Sequence, residues 1–255
     1  QTLTYSIVGG ADAAKFSINS STGALSFATA PDYEAPTDSG ANNVYDVTVQ
    51  ASDGTLSSTK AIAVTVTAVN DNTPAITSGA TASVAENTTT VMTVTATDAD
   101  QPAQTLTYSI VGGADAAKFS INSSTGALSF ATAPDYEAPT DSGANNVYDV
   151  TVQASDGTLS STKAIAVTVT AVNDNTPVIT SSATASVAEN STAVMTVTAT
   201  DADQPAQTLT YSIVGGADAA KFSINSSTGA LSFATAPDYE APTDVGSNNV
   251  YDVTE

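Results

Sequence analysis

The chain repeats itself almost letter for letter. QTLTYSIVGGADAAKFSINSSTGALSFATAPDYEAPTDSGANN begins at Gln1, begins again at Gln104 and returns at Gln207, where only Val245 and Ser247 differ. A period of about 103 residues is the size of an independent domain, whereas solenoid units of roughly 20–50 residues need stacked neighbours to fold. The sequence therefore encodes a string of similar domains. The phrase AVNDNTP occurs at residues 68–74 and 171–177, each time where an alternating Val/Ala/Thr run meets a proline. Boundaries placed at these prolines give a first repeat at 1–72 without its opening strands, a whole repeat at 73–175, and a third at 176–255 without its last strand.

Within one period the pattern is β throughout. SVAEN and VMTVTATDAD alternate β-branched with small residues, and TLTYSIVGG follows. FSIN-SSTG-ALSFA reads as two strands around a glycine-containing turn. After the loop PDYEAPTDSGANN come VYDVTVQAS, the turn DGTLSS and AIAVTVTAV. About seven short strands separated by turn signals predict an all-β fold, a tandem end-to-end array of Greek-key antiparallel β-sandwiches of immunoglobulin-like type. GGADAAKF is expected to close a short helical turn. Tyr108 and Phe119 are expected in the core.

The charge narrows function. There are 26 Asp plus Glu against 5 Lys plus Arg, all five being lysine, for a net charge of -21. Phosphate binding needs clustered cations, so nucleic acid and anionic membrane surfaces are excluded as partners. Cations become the favoured ligands. His and Cys are absent, which removes Ser-His, Cys-His and His-metal chemistry. Carboxylate pairs recur in every repeat rather than marking one cleft, so no enzymatic role is expected. No apolar run approaches the length of a transmembrane helix, and no insertion into a membrane is expected in this window.

The acids fall in an order. In the middle repeat Glu86 sits in AEN, Asp98 and Asp100 form DAD, Asp135 and Glu137 form DYE, Asp156 opens SDG, and Asp174 lies in NDN. Asp38, Asp46, Asp115 and Asp149 are expected to be plain solvated acids. The ordered motifs resemble the cadherin repeat, which carries a glutamate near its first strand, Asp-x-Asp, Asp-x-Glu, a lone Asp and a closing Asp-x-Asn-Asp-Asn linker before x-Pro. The resemblance covers the whole chain. It implies calcium bound between successive domains, with ligands at the first junction from Asp32, Glu34, Asn70, Asp71, Asn72, Asp98, Asp100 and Asp156. At the second junction it implies Glu86, Asp135, Glu137, Asn173, Asp174, Asn175, Asp201 and Asp203. Calcium takes roughly six to eight hard oxygens in loose geometry, which such a set can supply.

Departures from the family pattern are equally specific. Ala68 and Ala171 stand where the family's linker begins with aspartate, AEN replaces Pro-Glu-Asn, and Tyr33 or Tyr136 replaces the arginine of Asp-Arg-Glu. Fewer ions, weaker affinity, or both, are expected. There is no Trp, so the tryptophan exchange of vertebrate cadherins has no residue to work with. The leading expectation is a calcium-rigidified stalk or fibre of a large bacterial surface or secreted protein, located extracellularly. The alternatives are a carbohydrate- or self-binding adhesion module and a subunit of a strand-complemented extracellular filament. Expected partners are neighbouring repeats of the same chain, with like domains on another chain or surface glycans as further candidates.

Overall fold

A computed structural model describes residues 2–255. It is built of antiparallel strands, with single 3-10 turns at Ala13–Lys15, Ala116–Lys118 and Ala219–Lys221 where GGADAAKF was expected to turn. In the middle repeat one sheet runs Thr107–Gly112, Val147–Ser155, Ser160–Thr170, Thr81–Ala85 in spatial order. A second runs Phe119–Ile121, Ala127–Phe130, Thr90–Thr93. The order of strands differs from their sequence order in both, as an antiparallel sandwich with crossing connections requires.

The run VMTVTATDAD is not one strand. Thr90–Thr93 pairs with Ala127–Phe130 through a register shift between Leu128 and Ser129, and Ala96–Thr97 then pairs with a short Ala75–Ile76 segment. Between them the Val94 N–H bonds to the Gly126 carbonyl at 2.8 Å, so the chain changes partners without leaving this amide unpaired. Gly126 makes that possible. Its φ is +71°, and a Cβ there would lie 2.1 Å from the Val94 carbonyl oxygen.

The core rests on one aromatic triad per repeat. Phe119 and Phe130 stack with centroids 4.6 Å apart, and Tyr148 meets Phe130 edge-on at 5.1 Å. Phe16, Phe27 and Tyr45 repeat the arrangement, as do Phe222, Phe233 and Tyr251. The hairpin pairing Phe119 with Phe130 and Ile121 with Leu128 places these rings on the inner face. Val150, Val152, Ile165, Val167 and Val169 complete the interior from alternate positions on two long strands. Phe119 is buried as expected, and Tyr108 is half-buried, its ring over Gly126.

Two of the acids expected to be solvated are not. Asp38 and Asp115 are buried, as are their equivalents Asp12, Asp141, Asp218 and Asp244. Asp141 accepts N–H groups from Gly143, Asn145 and Asn146 at 2.9–3.0 Å, and Asp38 accepts those of Gly40, Asn42 and Asn43 at 2.9–3.1 Å. Burial opposes ionisation of both, but these N–H donors outweigh it and hold both carboxyls below the usual range. Asp115 accepts the Asp149 N–H at 2.8 Å, tying the 3-10 turn to the long strand. These acids are structural. Asp46 and Asp149 are exposed, as expected.

By packing, the chain forms two compact units: residues through Ala82 with Thr89–Thr132 and Tyr148–Val167, and Ser83–Thr88 with Ala133–Val147 and Thr168–Glu255. Each unit contains one AVNDNTP seam together with the acids around it.

Candidate metal centre at the repeat seams

In the first unit the seam brings together Glu34, Asp71 and Asp100, and beside them Asp98, Asp100 and Asp156, each trio with carboxylate oxygens within 4.8 Å of one another. Asp100 belongs to both trios and is fully buried. It is held by the linker: Asn72 donates its backbone N–H at 3.2 Å and its side-chain amide at 2.8 Å. The Asn72 side chain is the main reason the Asp100 carboxyl lies below its usual range, overcoming the effect of burial. Asp98 Oδ1 accepts the Asp100 N–H at 3.1 Å. Asp156 Oδ1 accepts from Thr158 and Leu159 at 2.6 and 2.7 Å. Burial works against its ionisation, and these N–H groups with the Asn70 amide prevail.

The second unit repeats the plan one period later and extends it. Glu86, Asp135 and Glu137 form one trio, and Glu137, Asp174 and Asp203 the next. Glu86 is 2% exposed, one oxygen accepting the Tyr136 N–H at 2.7 Å and the other the Val172 N–H at 2.6 Å. The Asn87 amide donates to Asp174 Oδ2, and Asn175 donates to Asp174 Oδ1 at 3.2 Å and to Asp203 Oδ1 at 2.9 Å. As at Asp100, this amide chiefly keeps the Asp203 carboxyl low. Glu137 behaves oppositely. Burial pushes its carboxyl up, the charges of Glu86 and Asp203 add to that, and the Gln204 N–H only partly opposes it.

That opposition gives a signed expectation. A carboxyl raised on folding destabilises the fold once the pH exceeds its unfolded value, and protonation relieves the cost. Glu137→Gln should therefore raise the melting temperature in chelator at neutral pH, and abolish any calcium-dependent increment at this seam. Calorimetry with and without calcium reads both signs. A lower melting temperature in chelator would contradict the electrostatic account.

Of the acids named from the sequence, Asp32 and Asp201 fall outside the trios. Asp32 Oδ1 accepts the N–H groups of Glu34 and Ala35, and Asp201 Oδ1 accepts that of Asp203 at 3.1 Å. The linker asparagines 70, 72, 173 and 175 all face carboxylates or their immediate neighbours. A fifth trio, Glu189, Asp238 and Glu240, was missed. It is the AEN and DYE motif one period on, so the repeat itself points to it. All three of its members are exposed.

Tandem antiparallel sandwiches joined by acid-lined seams define the class. A Cadherin domain model matches residues 80–170 and 183–254. The human protein "Protocadherin Fat 1" is 35% identical over 242 residues, covering 88% of this chain and 5% of its own length. The mouse protein "Cadherin EGF LAG seven-pass G-type receptor 2" is 34% identical over 252 residues, covering 93% of this chain and 8% of its own. Among solved structures, mouse cadherin-23 EC22-24 superposes with a TM-score of 0.68 at 27% identity, over 94% of this chain and 77% of that one. The protocadherin gammaB7 EC3-6 cis-dimer structure gives 0.62 at 28% identity, over 92% and 59%. The chain belongs to the cadherin-domain family. It spans a small fraction of the length of the curated relatives it matches. Cadherin domains are extracellular and non-enzymatic, and the chain is an extracellular, non-enzymatic one. Among the described residues no helix is long and apolar enough to cross a membrane.

The family implies calcium, and the residues here fit it. Asp98 Oδ2 and Glu137 Oε2 are buried without a hydrogen-bond partner, one in each unit. A buried carboxylate oxygen left bare is costly, and a cation removes the cost. The donor set is carboxylate and amide oxygen throughout, which suits a hard divalent ion over a soft one.

Proposed function

We propose that these repeats form a calcium-rigidified stalk of a large bacterial surface or secreted protein. The observation that carries the reading is the bare, buried oxygen of Asp98 and of Glu137 among acids drawn from two repeats and their linker. The proposed repeats are 1–72, 73–175 and 176–255. The first seam would hold calcium through Glu34, Asn70, Asp71, Asn72, Asp98, Asp100 and Asp156, with Asp32 beside them. The second would use Glu86, Asp135, Glu137, Asn173, Asp174, Asn175 and Asp203, with Asp201 beside them. The bacterial assignment is supported by copies that are nearly identical and by the Ala/Thr/Ser-rich composition.

Calcium drawing both repeats to one ion would fix the angle between them, extend the array and shield the linkers. Small-angle scattering on the full chain tests this. The maximum dimension should increase when calcium replaces chelator, and an unchanged dimension would remove the rigidifying role. Self-association is a second proposed use, favoured by the cis-dimer described for one structural relative. Sedimentation at rising concentration checks it.

A further inference from the structure

At both seams a hydrogen bond reaches across the AVNDNTP linker. The Gln101 N–H donates to Glu34 Oε1 at 3.1 Å, and the Gln204 N–H donates to Glu137 Oε1 at 3.0 Å, each pair 67 residues apart. Both glutamines directly follow DAD and are exposed, so the backbone is what the seam uses. The loop carrying this N–H is itself fixed. Asp98 Oδ1 and Asp201 Oδ1 accept the N–H groups of Asp100 and Asp203 at 3.1 Å. The side-chain amides of Asn72 and Asn175 hold those buried carboxylates at 2.8 and 2.9 Å.

Glu34 shares a trio with Asp100, and Glu137 shares one with Asp203, their oxygens within 4.8 Å. Like charges at that distance repel, and an N–H donated to a carboxylate opposes the separation. The bond occupies Oε1 alone, and Glu137 Oε2 is buried with no partner. One oxygen is anchored and the other is left for a ligand. We propose that the backbone N–H groups of Gln101 and Gln204 are positioning groups: each anchors the glutamate of the preceding DYE motif to the loop of the buried aspartate and orients it for calcium. Holding a ligand in place before the ion arrives strengthens binding by lowering the cost of ordering. The inference rests on the calcium reading above.

The test uses the full 255-residue chain. Replacing Gln101 and Gln204 by the matching α-hydroxy acid turns each N–H into an ester oxygen and keeps the side chain. Calcium affinity by titration calorimetry should fall about ten-fold, the lower end of what losing a metal ligand's outer partner costs. Gln101→Ala with Gln204→Ala keeps both N–H groups and should leave affinity unchanged. The melting temperature in chelator should be nearly the same in both chains. A second readout needs no metal. In chelator the Gln101 and Gln204 amides should exchange slowly with solvent, and Glu34→Ala with Glu137→Ala should make them fast. Unchanged affinity in the ester chain, an equal loss in the alanine chain, or amides that exchange equally fast with and without the glutamates overturns the positioning role. A large drop of the ester chain's melting temperature in chelator overturns it as well, by making the bond structural. A native chain that takes up no calcium overturns the calcium reading too, whereas native binding indifferent to the esters overturns this inference alone.

Discussion

Removing calcium with a chelator should lower the melting temperature of the chain by about 10–20 °C. An ion that binds only the folded seam, present at about 100 times its dissociation constant, adds about 2.7 kcal/mol of stability. For domains near 100 residues, each kcal/mol moves the midpoint by about 4–8 °C. The sign follows from the seam itself. Glu137 is shared by two acidic trios, with its charged form disfavoured by burial and by Glu86 and Asp203. Among the described residues, amide and backbone donors such as Asn175 and Asn72 hold the carboxylates together in the absence of a cation. Differential scanning calorimetry in calcium, magnesium and chelator measures the effect. Magnesium should give much less, because it demands a tighter octahedral shell and gives up water reluctantly. Superimposable traces in calcium and chelator would end the calcium account.

Ala68→Asp combined with Ala171→Asp should move two observables in opposite directions. Ala171 precedes Val172, whose N–H is bonded to Glu86, so a carboxylate there would emerge beside the trio of Glu86, Asp135 and Glu137. Affinity in calcium-oxygen sites is tuned by the number of charged ligands, and a gain of about ten-fold or more is expected. In chelator the same carboxylate adds repulsion to a group that already resists ionisation at Glu137, so the melting temperature should fall. Ala→Asn at the same positions separates size from charge and should give smaller changes in both. Tighter binding without apo destabilisation would mean that the new side chain points away from the acids.

The parts of this fold that were legible in the sequence are those with local causes. The 103-residue period, the FSI and LSF hairpin around a positive-φ glycine, and the alternating long strands all declare themselves within a few residues. The acidic motifs were legible because they recur in order, and the trios gather most of them. What escaped depends on distant partners. Asp12 looks like one more surface acid, yet its oxygens accept N–H groups from Ser39 and Asp46, far along the chain. The division of VMTVTATDAD arises because Val94 turns to Gly126, and a hydrophobic pattern carries no record of which sheet a strand joins.

Glu86 and Glu189 occupy the same place in consecutive repeats, yet one is buried and the other exposed. Both accept an N–H from the following DYE segment, Tyr136 for Glu86 and Tyr239 for Glu189, and Glu86 also receives one from the linker residue Val172. The linker thus helps to enclose the glutamate of the repeat it leaves. An inventory of tightly held metal in such an array would then count its seams rather than its domains. Lengthening the array by one repeat would add one seam, and with it one more set of carboxylates drawn from two repeats and the linker between them.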